Sequence, residues 1–133
     1  MDAGSGTGIT SRAIAKDFNF NVVSVDYLQH FTNIANQLNA LCGLQNKITA
    51  IQGDMTSLDL EANQYVGKFD AVISIQAFLH IRDKKALFTL CNKALKNGGM
   101  LYIEDFTVHD KSILQEDDTA AMEHLGLHNI DQQ

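Results

Sequence analysis

Four short runs of β-branched and other apolar residues recur along this chain, and helical periodicities separate them. They cover residues 21–26 (NVVSVD), 47–53 (KITAIQG), 69–75 (FDAVISI) and 100–106 (MLYIEDF). Between the first two, Leu28, Phe31, Ile34, Ala35, Leu38, Leu41 and Cys42 fall at helical spacing over residues 27–41, and Gly43 suits the stop. Between the last two, Leu87, Phe88, Cys91, Ala94 and Leu95 form one stripe of a helix over residues 84–96, with Asp83 as its N-cap. A shorter helix is expected over residues 9–18, with Ile9, Ala13, Ile14 and Phe18 on one side. Strands that alternate with helices must run parallel, because each crossover returns the chain to the same end of the sheet. The run 69–75 is apolar enough to be buried on both faces. Residues 57–68 read as a polar loop, and Asn97-Gly98-Gly99 as a turn that ends the third helix.

This alternation predicts an α/β fold: a Rossmann-like, doubly wound, mostly parallel sheet in a three-layer αβα arrangement. At 133 residues the chain suffices for one domain. Ligands of such sheets bind at the carboxyl ends of the strands, and the acids and glycines of this sequence fall there.

Three signals follow successive strands. Asp2-Ala3-Gly4-Ser5-Gly6-Thr7-Gly8 has glycine at alternate positions, which lets a backbone turn sharply and a ligand come close. The N–H groups of the next helix point at the same spot. Asp26 ends its strand 18 residues after Gly8, where a carboxylate can accept from both hydroxyls of a ribose or cap the following helix. Gly53-Asp54-Met55 follows the next strand; a carboxylate there can accept from an adenine amino group or serve a solvent-exposed turn. In that order and spacing the three describe a nucleoside-binding crevice.

Over residues 2–106 the sequence resembles the class I S-adenosylmethionine-dependent methyltransferases. DAGSGTG matches the family's acid-x-Gly-x-Gly-x-Gly motif, and KFDAVISIQAFLHIRDKKALF and ALKNGGMLYIEDF match its fourth and fifth strands with their flanks. Where the family usually has Lys-Pro-Gly-Gly, this chain has Lys96-Asn97-Gly98-Gly99. The resemblance implies S-adenosylmethionine as cofactor, with S-adenosylhomocysteine as product. It implies that Asp2, Ala3, Gly4, Ser5, Gly6 and Gly8 hold the cofactor's amino acid end, that Asp26 with Tyr27 holds the ribose and Asp54 with Met55 the adenine, and that Ser74 belongs to the same site. SIQAFLHIRDK is similar to the segment after the fourth strand in phosphoethanolamine, sarcosine/dimethylglycine and sterol methyltransferases. Several of these have an acid where this chain has Gln76, and an amide cannot act as a base or as a counter-charge. Gln76 is then expected to orient acceptor or cofactor. His80 faces the transferred methyl group in that scheme, where an imidazole can take a proton from an attacking amine or hydroxyl; the alternative is a histidine packed at the mouth of the crevice.

The implied reaction is in-line attack of a small-molecule acceptor on the cofactor methyl group. Two other classes stay in view. One is a non-catalytic S-adenosylmethionine-binding module. The other is a nicotinamide-dependent oxidoreductase, in which Asp26 would also hold a ribose; its loop, however, is Gly-x-Gly-x-x-Gly.

The remaining features exclude more than they assign. Net charge is −6, and the closest basic pair is Lys84-Lys85, so a nucleic-acid partner is disfavoured. No apolar run approaches the ~18 residues of a membrane span. Cys42 and Cys91 read as reduced core thiols of a cytoplasmic protein. His124 and His128 share a helical face but have no third partner, so no metal site is expected. Residues 107–133 form a tail with weak helical periodicity at Leu114, Met122 and Leu125. The first strand of the family fold is nearly absent and its last two are expected to be missing, as in a fragment or a gene product begun at an internal methionine. Unpaired strands would then favour self-association.

Overall fold

The structure is a computed structural model and describes residues 1–106 and Met122. Its elements are β1 (Asp2–Ala3), α1 (Ile9–Asp17), β2 (Val22–Asp26), α2 (Gln29–Leu41), β3 (Ile48–Gln52), β4 (Phe69–Ile75), a single 3₁₀ turn (Phe78–His80), α3 (Lys84–Ala94) and β5 (Leu95–Glu104). The expected His124–His128 pair and the periodicity at Leu114 and Leu125 lie outside the described residues.

The five strands form one parallel sheet in the order β3-β2-β1-β4-β5. β1 is two residues long, yet it is bonded on both sides: Asp2 registers with Ser24 of β2 and with Ile73 of β4. The Ile73 N–H also donates to the Met1 carbonyl at 2.9 Å, which extends the pairing toward the strand's start. The order reverses between β1 and β4, and that switch point opens the crevice of a doubly wound sheet.

Side-chain alternation along the strands divides the core into two layers. Met1, Ala3, Val25 and Val72 face α3, whose Leu87, Cys91 and Ala94 are completely buried. Val22 and Ile48 face the other way, onto Ala15 of α1. α2 lies beside α1 on that side, where Arg12 Nη1 is 3.4 Å from Asn39 Oδ1. Each fully buried Leu or Phe here contributes roughly 1.5–3 kcal/mol.

Several local expectations change. The buried residues of α1 are Ser11 and Ala15, while Ile9 and Phe18 are exposed. The helix buries its small residues because it packs closely over β1 and β2. In α2 the buried residues are Thr32, Ala35 and Asn39; Leu41 and Cys42 are exposed at its C-terminal end, so only Cys91 is a core thiol. The polar segment 57–68 supplies Leu60 and Tyr65 to the α3-side core. Asn97-Gly98-Gly99 does not follow a helix end as a turn. It is looped out within β5, between the pairs Phe69↔Leu95 and Ala71↔Met100. β4 is fully buried on one face only, the α3 side, at Val72 and Ser74; Ala71, Ile73 and Ile75 on the other face are half-buried. Opposite Ala71 and Ile73, Met100 and Tyr102 are 62% and 48% exposed, because α1 and α2 cover the β1–β3 half of that face.

Candidate functional site

The loops after β1, β2, β3 and β4 lead into one cavity of about 910 Å³. The glycine loop forms its floor. Gly4 and Ser5 both donate their N–H groups to the Val25 carbonyl, at 2.8 and 3.0 Å, which folds the loop over the end of β2. Gly4 has φ +76°, and a Cβ built on it would lie 2.2 Å from the Ala77 methyl. Only glycine permits both the turn and this approach of the segment after β4. Arg12 holds the far side of the loop through Nη1, 2.6 Å from the Thr7 carbonyl.

Asp2 sits under this loop, 2% exposed, and its Oδ2 accepts from Ser11 Oγ at 2.5 Å. Burial raises its pKa above the ordinary carboxylate value; the Ser11 hydrogen bond and the amino terminus oppose the rise. Asp26, at the end of β2, accepts from the Gly6 N–H through Oδ2 (2.7 Å) and from the Leu28 N–H through Oδ1 (2.9 Å). It is not the N-cap of α2, a position held by Leu28. It ties the glycine loop to the chain entering α2 and retains lone pairs toward the cavity. Asp54 Oδ1 accepts from the backbone N–H and the hydroxyl of Thr56, both at 2.7 Å, so this turn is fixed by its own acid.

On the opposite wall, β4 leaves the sheet at Gln76, whose φ is +52°. Its N–H donates to the Glu104 carbonyl at 2.7 Å. This left-handed step, costly for a residue with a side chain, turns the chain toward Gly4 and begins the segment that carries His80 and Ile81 to the cavity.

Of the expected site residues, the cavity brings together Asp2, Gly4, Ser5, Gly6, Asp26, Tyr27, Asp54, Met55, Gln76 and His80. Met55 is otherwise buried in the core, at 4% exposure. Ala3, Gly8 and Ser74 do not line it. Ala3 faces the α3 side of the core. Gly8 is the buried N-cap of α1 with φ +79°. Ser74 lies within β4, its Oγ buried and without a hydrogen-bond partner. Sequence reasoning missed Ile9, Thr10, Phe31 and Arg82 on the cavity wall. It also missed Asp105, whose Oδ2 accepts from the Leu79 N–H at 3.0 Å. An acid directly after a parallel strand was the available signal for Asp105. Among the described residues no group of three or more His, Cys, Asp or Glu could hold a metal ion, and no helix is long and apolar enough to cross a membrane.

A sequence profile described as a methyltransferase domain matches residues 1–103. A sterol 24-C-methyltransferase of Debaryomyces hansenii is 27% identical over 111 residues, which cover 84% of this chain and 28% of that protein. Phosphoethanolamine N-methyltransferase 3 of Arabidopsis thaliana is 32% identical over 106 residues, 80% of this chain and 20% of that protein. The chain thus spans less than a third of the length of either relative. A solved structure of Haemonchus contortus phosphoethanolamine N-methyltransferase 2 in complex with S-adenosyl-L-methionine superposes with a TM-score of 0.88 at 24% identity, covering 98% of this chain and 29% of that one. With a glycine loop at the switch point of a parallel sheet and this profile over most of its length, the chain belongs to the class I S-adenosylmethionine-dependent methyltransferases.

Proposed function

We propose that this chain binds S-adenosylmethionine in the 910 Å³ cavity and supports methyl transfer to a small-molecule acceptor. The observation that carries the proposal is the meeting of the glycine loop, Asp26 and Asp54 around one crevice. The chemistry present fits the group. Glycines 4 and 6 bring bare backbone to the wall, Asp26 offers lone pairs to ribose hydroxyls, and Asp54 lies beyond it with an oxygen free of the Thr56 contacts for an adenine amino group. Ala3, Gly8 and Ser74 support this site from behind without facing it.

Bound there, S-adenosylmethionine would supply an electrophilic methyl group. The chain's own contribution is alignment and exclusion of water. Gln76 orients the acceptor through its amide, and His80 takes a proton from the attacking amine or hydroxyl. A compartment that keeps Cys42 and Cys91 as free thiols, such as the cytoplasm, suits the protein. The exposed Met100 and Tyr102 on β5 favour self-association.

Calorimetric titration with S-adenosylhomocysteine, wild type beside Asp26→Ala, tests the reading. Micromolar binding by the wild type that the variant loses is expected. No binding by a folded wild-type chain would overturn it. A non-catalytic cofactor-binding module is the second reading, favoured by the neutral Gln76 at the cavity wall; binding without turnover on any acceptor would support it.

A further inference from the structure

The backbone that carries His80 and Ile81 to the cavity wall is hydrogen-bonded from two sides. Lys84, the first residue of α3, is 2% exposed. Its ammonium donates to the carbonyl oxygen of Phe78 at 2.8 Å and to that of Ile81. Asp105, just past β5, supplies the opposite polarity and accepts from the Leu79 N–H at 3.0 Å. Within the turn, the His80 N–H donates to the Ala77 carbonyl and the Ile81 N–H to the Phe78 carbonyl.

Nothing in the helix itself calls for a lysine at this position. Asp83 already caps α3, its Oδ1 accepting from the Ala86 N–H at 2.8 Å. A cation in the first turn opposes the helix dipole, and a lysine is almost never buried unless its ammonium is paired. Burial lowers the Lys84 pKa, with Asp105 opposing. Local preference and burial therefore both disfavour Lys84, and conflicts of that kind gather at functional sites. The neighbouring segment is constrained as well, through the left-handed Gln76 and the contact of Ala77 with Gly4.

We infer that Lys84 is a positioning residue: together with Asp105 it fixes the backbone of residues 78–81 so that His80 lines the cofactor cavity. The inference rests on the proposed function for its catalytic meaning, but not for its test.

The test compares the 133-residue chain with Lys84→Met and Lys84→Arg. Amide hydrogen exchange is read at Leu79, His80 and Ile81 and at the β2 amides, and S-adenosylhomocysteine is titrated while the His80 ring signals are followed by NMR. In Lys84→Met the turn amides are expected to exchange about tenfold faster or more, with β2 unchanged. Affinity is expected to stay within about twofold, while the ligand-induced shift of the His80 signals is lost. Lys84→Arg, which keeps N–H donors, restores protection of the turn. Unchanged exchange at residues 79–81 would overturn the inference, as would protection lost equally throughout the sheet. If Lys84→Met does not fold, Lys84→Gln takes its place in the same comparison, and faster exchange confined to the turn again supports the inference while unchanged exchange overturns it. A wild-type chain that ignores the ligand sinks the cofactor reading and leaves the exchange result to judge Lys84.

Discussion

The Gly6 amide lies 2.7 Å from Asp26 Oδ2, so the acid at the end of β2 holds the glycine loop directly. Its other oxygen takes the Leu28 N–H at 2.9 Å. One carboxylate thus joins two walls of the cavity, and it is built to accept on both sides. An amide in its place has one acceptor oxygen and one NH₂ group, so one of the two N–H donors must face another donor. Asp26→Asn is therefore expected to lower stability by about 1–3 kcal/mol. Urea unfolding of the two proteins measures this, and equal midpoints would show that the carboxylate does not hold the loop.

Gly4 and Gly6 separate two roles of the same loop. Both have positive φ, +76° and +53°. A methyl on Gly4 meets the Ala77 methyl at 2.2 Å, whereas one on Gly6 meets nothing within 4 Å. Gly4→Ala adds a clash to the backbone strain and is expected to cost about 3 kcal/mol or more, read as a drop in Tm. Gly6→Ala is expected to cost about 1 kcal/mol and to leave a folded chain. Because Gly6 lines the cavity, that chain should still lose S-adenosylhomocysteine binding. Matching losses of stability in the two variants would contradict the assignment of the close approach to Gly4.

The sheet was legible because its runs are short, apolar and regularly spaced, and 69–75 coincides with β4 residue for residue. The Asp83 cap was legible because a cap is a local signal. The stripe of α3 was legible too, since Leu87, Cys91 and Ala94 are buried as expected, but the faces of α1 and α2 were not. Periodicity marks where apolar residues lie but not how close a helix sits, and α1 packs closely enough to bury Ser11 and expose Ile9. Most of the cavity was legible through its glycines and acids, which mark strand ends. The grip of Lys84 and Asp105 on residues 78–81 was not, because it joins side chains 21 positions apart to main-chain atoms. Lys84-Lys85 read only as the closest basic pair of the chain, at the start of a helix.

The two cysteines should respond differently to a thiol reagent. Cys42 is exposed just past α2, whereas Cys91 is buried against the sheet. Burial pushes the Cys91 thiol up to about 11, so little thiolate forms near neutral pH. One equivalent of Ellman's reagent should react promptly with the native chain and the second only on unfolding. Rapid reaction of both thiols would mean that α3 does not seal the core as described.

Asp2 makes stability depend on pH in a definite direction. Burial raises its pKa in the folded chain above the ordinary carboxylate value that it has in the unfolded chain. Between those two values the folded chain holds a proton that the unfolded chain has released, so this group's contribution to stability falls as pH rises through that window. Above the window the penalty stays constant. Asp2→Asn keeps an oxygen for the Ser11 hydroxyl, 2.5 Å away in the wild type, and removes the ionisation. The variant should match the wild type most closely at acid pH, gain on it as pH rises, and stand the more stable of the two at neutral pH. Urea midpoints taken at intervals from acid to neutral pH give the difference directly. A difference that does not change with pH would show that Asp2 ionises without penalty, and the dry contact between β1 and Ser11 of α1 would then be wrong.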